Sequence, residues 1–236
     1  LGISLSNAIS WRVTFLLVGC WGVIILYYIW RWVPHVEGLK DTGFKGQFRF
    51  LKTPVPWLIL GATALGNGGV FCWYSYINPL LTNVSGFSAE SITGLMVLAG
   101  FGMVVGNLVS GRLSDQYTPG KVGTTVQAMI CVVLLLIFFL SPYPWLSALL
   151  MCLCTAGLFA FSSPEQVLII RVAKGGEMLG AACVQVAFNL GNAIGAYVGG
   201  LAISGGYRYP ALAGVPFAMV GFILFLTFYK KYQAKY

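Results

Sequence analysis

The sequence predicts an all-α membrane protein with seven transmembrane helices, six of them forming two three-helix repeats of opposite orientation. Three observations carry this reading. The 236 residues are 58% apolar and only 8% charged, whereas soluble domains carry about 25% charged residues. Seven segments reach the roughly 20 residues needed to cross about 30 Å of hydrocarbon: Val13–Val33, Trp57–Leu80, Ile92–Gly111, Val122–Leu140, Trp145–Glu165, Leu179–Ile203 and Ala211–Tyr229. Finally, a glycine-centred pattern recurs at a nearly constant offset. Gly69 to Ser75 reads against Gly157 to Ser163 at an offset of 88, and Gly102, Gly106 and Gly111 match Gly191, Gly195 and Gly200 at an offset of 89. Three spans separate the copies, so the copies cross the membrane in opposite directions, as in the inverted repeats of secondary transporters.

The first span (VTFLLVGCWGVIILYYIWRWV) is bulky and apolar. The connection over 34–56 is the longest in the chain. Within it Phe44, Phe48 and Leu51 fall on one helical face beside Lys45, Arg49 and Lys52, the pattern of a short helix lying on a membrane surface. It links the first span to a bundle over 57–236. The fourth and seventh spans are also bulky and nearly free of amides. The second, third, fifth and sixth carry the glycines together with Asn67, Asn78, Asn107, Gln166 and the stripe described below. Small, polar spans are expected inside a bundle and apolar ones at its periphery. Alternate connections hold twelve of the fourteen Lys and Arg residues; only Arg12 and Arg208 lie on the other side. The positive-inside rule makes the rich side, and with it the C-terminus, cytoplasmic.

That distribution also disposes of nucleic acid as a partner, because the net charge of +8 is a topology signal. Cys20, Cys72, Cys131, Cys152, Cys154 and Cys183 all sit in apolar segments, where packing is their expected role. His35 is the only histidine and belongs to no metal-ligand pattern. No metal or other cofactor is expected. The opening residues LGISLSN contain neither an initiator Met nor a cleavable signal, which reads as a fragment.

The candidate site centres on Gln185 to Gly200, QVAFNLGNAIGAYVGG. Gln185, Asn189 and Asn192 recur at steps of four and three and so share one helical face. An unpartnered amide in hydrocarbon costs roughly 2–7 kcal/mol, so the stripe needs polar neighbours or a wet cavity. Gly191, Gly195 and Gly199 form a small-residue ridge beside it. At about 1.5 Å of rise per residue, Asn67 and Asn189 each lie about 15 Å from the cytoplasmic ends of their spans, at the midplane. Trp73 and Tyr74 lie beyond Asn67, while Gln166 and Gln185 lie towards the cytoplasm. Aromatic walls with a few amides suit a neutral or weakly polar solute; the alternative for each amide is an interhelical hydrogen bond. Glu165, about 30 Å from Trp145, falls at the cytoplasmic mouth, which favours a gate ion pair with Arg171 or a solvated interface residue over a proton carrier.

Between the third and fourth spans runs Gly111-Arg112-Leu113-Ser114-Asp115-Gln116-Tyr117-Thr118-Pro119-Gly120-Lys121. It resembles the cytoplasmic loop signature of the major facilitator superfamily, G-x-x-x-D-(R/K)-x-G-(R/K)-(R/K). Gly111, Asp115 and Lys121 match; Gln116 replaces a basic residue, and the later glycine is displaced to Gly120. Trp11-Arg12-Val13-Thr14-Phe15 looks like the W-R-x-x-F signature that begins the sixth helix in the drug–proton antiporter branch. Ala173 to Glu177, with Gly180-Ala181-Ala182 and Gln185 to Gly200, is similar to AraJ-type arabinose-efflux permeases.

This resemblance implies the C-terminal part of a twelve-helix transporter in the cytoplasmic (inner) membrane. Residues 1–12 would hold the end of helix five (Leu1-Gly2) and a periplasmic loop, residues 13–33 helix six, residues 34–56 the central cytoplasmic loop, and residues 57–236 the last six helices. It implies alternating access, with the N-terminal half of the same transporter as the other wall and a sugar or drug-like compound as substrate. It further implies efflux, proton coupling, and a conformational switch at Gly111, Asp115 and Lys121, with Glu165 and Arg171 as gate. A seven-helix membrane receptor shares the topology, but would not predict an inverted repeat or the long connection after the first span. An enzyme is disfavoured, since no span carries paired acids or a Ser-His arrangement.

Overall fold

The computed structural model describes residues 10–34 and 43–235. Leu1, Gly2, His35 and Lys40 lie outside the described residues, as do the side chains of Trp11, Thr14, Phe44, Lys45 and Lys235. The chain divides into two compact units, Leu1–Asp41 and Thr42–Tyr236. In the first, helix α1 (Trp11–Trp32) is started by Ser10, whose hydroxyl accepts from the Arg12 amide at 3.2 Å. A cluster of aromatic rings closes the helix, with Tyr28 and Trp32 4.9 Å apart.

The second unit opens with α2 (Gly43–Gln47), which tightens into a 3-10 turn over Phe48–Lys52. The tighter period changes the buried face. Phe50, not Phe48, is the anchor: Phe50 is buried and Phe48 exposed. Six long helical spans follow: α3 (Pro54–Tyr74) continued after a break at Ser75–Tyr76 by α4 (Ile77–Asn83), α5 (Ala89–Gln116), α6 (Pro119–Leu140), α7 (Pro144–Val172), α8 (Glu177–Ala202) and α9 (Tyr209–Tyr232). With α1 they make seven helices long and apolar enough to cross a membrane. Prolines stand in the first turn of α3, α6, α7 and α9, where no intrahelical N–H is lost.

The glycine ridges dock two helix pairs. A Cβ at Gly191, Gly195 or Gly199 would overlap the carbonyl of Ala64, Gly68 or Cys72, so α8 lies backbone to backbone on α3. In the same way Gly102 and Gly106 of α5 face the Cys152 and Ala156 carbonyls of α7, and Ser110 donates a hydrogen bond to the Ala160 carbonyl. Adding 88 to 64, 68 and 72 gives 152, 156 and 160; adding 89 to 102, 106 and 110 gives 191, 195 and 199. In each pair the contact positions rise together, so the paired helices run parallel. The remaining packing obeys the same relation: Gly69 of α3 faces Ala218 of α9, and Gly157 of α7 faces Ile130 of α6, each 88 apart. Contacts thus confirm the inverted repeat, with α3–α6 as one copy and α7–α9 as the other.

Two hydrophobic clusters hold the bundle. One gathers Trp73, Leu80, Leu134 and Met151, the other Phe50, Ile59, Phe161, Phe225 and Phe228. Within this unit, burial does not follow the expected division into interior and peripheral spans. Of each helix's apolar stretch, 17% is buried in α5 and 22% in α8, against 44% in α6 and 33% in α9. A glycine ridge needs only a narrow strip to make close backbone contact, so the rest of α5 and α8 stays open within this unit. Bulky α6 and α9 interdigitate with each other and with α7 and α3. The fifth span also runs past its expected end at Glu165, to Val172, through Pro164. Proline cannot donate to the carbonyl four residues earlier, that of Ala160. Ser110 takes that freed acceptor, which lets the helix continue.

Candidate functional site

Helices α7 and α8 come together beside the Gly175-Gly176 turn, where a Cβ at Gly180 would lie 2.7 Å from the Ala173 Cβ. Gly175 has φ +81, a left-handed conformation suited to glycine, and its amide donates to the Glu177 carboxylate at 2.9 Å. A Cβ at Gly176 would overlap the Gln47 carbonyl, so the turn is seated on the central connection. Beyond it the two helices enclose a pocket of about 200 Å³. Phe159, Ser162, Glu165 and Gln166 come from α7, and Gln185 and Phe188 from α8.

Glu165 is 1% exposed, which removes the solvated-interface reading of this residue. Thr63 of α3 donates to its Oε2 at 2.6 Å, while the same Thr63 oxygen lies 2.9 Å from the Ile59 carbonyl. A hydroxyl carries one proton, so it cannot donate fully to both acceptors. The hydrogen-bond partner of Glu165 is therefore Thr63 and not Arg171, which sits exposed a turn and a half further along α7.

The other expected residues separate into groups. Gln166 and Gln185 join Glu165 in the pocket wall. Asn189 is exposed and donates to the Gln185 carbonyl of its own helix at 2.8 Å. Asn192 is half-buried, and its Oδ1 has no partner. Asn67 is 2% exposed with Nδ2 unpartnered. It sits at the level of Gly191, because a Cβ on neighbouring Gly68 would lie 3.0 Å from the Gly191 carbonyl. Trp73 is buried in the apolar cluster with Nε1 unpartnered. Tyr74 is half-buried and reaches the pocket through rings: Tyr74–Phe71 at 5.4 Å and Phe71–Phe188 at 6.0 Å. The stripe predicted as one face thus divides between a pocket wall, an open surface and a buried contact.

At the α5–α6 turn, Gly111 has ordinary packing, with the nearest atom to a Cβ there being Ser163 Oγ at 3.7 Å. Asp115 is exposed and forms no ion pair among the described residues. Lys121 lies 5.0 Å above the Tyr117 ring.

Sequence reasoning missed Thr63, Ser110 and Gln127. Thr63 was findable, since it lies four residues before Asn67 on the same face of α3 and a buried acid requires a partner. Gln127 contradicts the reading of the fourth span as nearly amide-free in its core. It is fully buried, fills the space beside Gly66, and both its polar atoms lack protein partners.

An inverted repeat of three helices, docked through glycine ridges around a small polar pocket, defines the transporter class of membrane fold. The Major Facilitator Superfamily pattern matches residues 1–183, and the chain belongs to that family. It is 43% identical over 99% of its length to AraJ of Escherichia coli (strain K12), named as a transporter, and covers 60% of that protein. It is 31% identical over 95% of its length to the inner membrane transport protein YdhP of the same strain, covering 57% of it. A Helicobacter pylori (strain J99) protein named for sugar efflux is 25% identical over 86% of the chain, which covers 52% of that relative. The chain therefore spans little more than half the length of these relatives. Family and repeat together leave the receptor alternative without support.

Proposed function

We propose that this chain is part of a secondary active transporter that exports a small neutral or weakly polar solute, a sugar or drug-like compound, by alternating access. The observation that carries the reading is the α7–α8 pocket. It combines hydrogen-bonding groups on Ser162, Gln166 and Gln185 with the rings of Phe159 and Phe188, at the junction between inverted repeats. Gln166 and Gln185 contact the solute directly. Asn189 and Asn192 continue the path along α8, and Asn67, Trp73 and Tyr74 support it from α3. The names of the relatives favour efflux and an inner-membrane location; the positive-inside bias favours a cytoplasmic C-terminus. The opposite wall comes from an N-terminal half that the relatives' greater length accommodates.

Coupling to protons runs through Glu165. When protonated, the carboxyl donates to Thr63; when ionised, it accepts from Thr63. The Thr63 hydroxyl turns accordingly and couples α3 to α7. Gly111, Asp115 and Lys121 act at the α5–α6 turn, Asp115 latching one state through basic partners, with Arg171 at the mouth of α7.

The test is thermal stabilisation by solute, using arabinose and an amphipathic dye as probes in the intact transporter. Gln185→Ala and Gln166→Ala should keep the unliganded Tm and lose most of the stabilisation. A hydrogen bond worth about 0.5–1.5 kcal/mol corresponds to a several-fold loss of affinity. Glu165→Gln should bind the probe but abolish solute-driven proton movement. Full stabilisation in both glutamine variants excludes the pocket.

A further inference from the structure

Helices α5 and α6 are consecutive and joined by a tight turn, yet they touch only lightly and splay apart above α7. The wedge between them holds two cavities of about 340 and 250 Å³ that share Leu113, Val122, Thr125 and Val126, and so form one groove. Its walls run from Val105 to Leu113 on α5 and from Val122 to Met129 on α6, with Ala156 of α7 in the floor. Lys121 and Tyr117 stand at its mouth. We infer that this groove binds one acyl chain of an anionic phospholipid, whose phosphate lies against Lys121.

Length supports a lipid chain. Eight residues of α5 or α6 span about 12 Å, close to the half-thickness of a bilayer's hydrocarbon core. The interior offers no free hydrogen-bond donor: Ser110 is committed to the Ala160 carbonyl, and Thr125 donates to the Lys121 carbonyl at 3.0 Å. An alkyl chain satisfies such walls and a sugar does not. The mouth is cationic on balance. Of the charged residues near this turn, Lys121 lines the mouth, while Arg112 and Asp115 are exposed on the last two turns of α5. Lys121 Nζ is held over the Tyr117 ring rather than by an acid, which keeps it available to a phosphate.

The test extracts the intact transporter from vesicles of equal phosphatidylcholine and phosphatidylglycerol, and measures retained lipid by mass spectrometry. Wild type should retain phosphatidylglycerol over phosphatidylcholine by about fivefold, as one basic residue near a charged bilayer surface gives. Lys121→Gln should bring the ratio near one. Thr125→Trp, an exposed position that fills the groove, should lower the retained lipid of both kinds. Val132→Trp, exposed on α6 outside the groove, should change neither. A benzophenone side chain at Val126 should yield a lipid adduct. Equal retention of the two lipids by wild type, or an unaltered lipid count in Thr125→Trp, overturns the proposal. So does a benzophenone adduct to a second copy or to another segment of the transporter.

Discussion

Helix α8 rests on α3 as α5 rests on α7, through three contacts related by the repeat, yet the side chains around the two contacts differ. The open face of α8 interleaves Asn189 with Val186, Leu190, Ile194 and Tyr197, and Gln185 at its edge lines the pocket; that of α5 carries Val97, Phe101, Val104 and Leu108 beside Asn107. The contacts differ at one position. Gly199 meets the Cys72 carbonyl by bare approach, whereas Ser110 hydrogen-bonds the Ala160 carbonyl that Pro164 has freed. Symmetry thus governs the backbone, where parallel helices must come close. Asymmetry sits in the side chains around that contact, where a pocket with polar groups lies beside α8 and an apolar groove beside α5.

The strongest way to break this comparison is to fill both ridges. Gly106→Ala and Gly195→Ala should each lower the Tm markedly, because the new methyl overlaps backbone that cannot turn aside; overpacking typically costs about 1–3 kcal/mol. Gly94→Ala and Gly100→Ala meet nothing within 4 Å and should be neutral or gain up to about 1 kcal/mol of helix propensity. A similar loss at all four positions would mean the ridges are ordinary helix surface.

The single departure from symmetry can be isolated by a double-mutant cycle. Ser110→Ala leaves the Ala160 carbonyl buried without a donor and should cost about 1–3 kcal/mol. In a Pro164→Ala background, where the helix supplies its own donor, the same change should cost much less. Strict additivity of the two substitutions in thermal denaturation would detach Ser110 from the proline.

The smallest effect belongs to the open face of α8. Asn189→Ala removes a hydrogen bond to a carbonyl within its own helix and should shift stability by less than about 0.5 kcal/mol. It should weaken probe-sugar binding less than Gln185→Ala does. Ala193→Leu, also exposed on α8 and carrying no amide, serves as the packing control. Greater loss of binding in Asn189→Ala than in Gln185→Ala would move the substrate contact from the pocket to the open face.

The sequence by itself determined what local physics dictates: seven membrane-length helices from apolar length, and an inverted repeat from glycine spacing. It also made the family legible, through the residues around Gly111, Asp115 and Lys121. These features depend on lipid thickness and on the absence of a side chain, both readable one segment at a time. Only the tertiary structure decided which residues meet. Three amides on one helical stripe look equivalent in sequence. Packing sent Gln185 to a pocket, left Asn189 open and buried part of Asn192, because a helix face is divided by whichever neighbours reach it. Glu165 looked like a mouth residue when depth was counted along one helix, but α3 supplies Thr63 from 102 residues away. The 3-10 turn exchanged Phe48 for Phe50, and the carbonyl freed by Pro164 found a hydroxyl on another helix. In each case a nonlocal neighbour satisfied a polar group or filled a space, and periodicity along the chain holds no record of that neighbour.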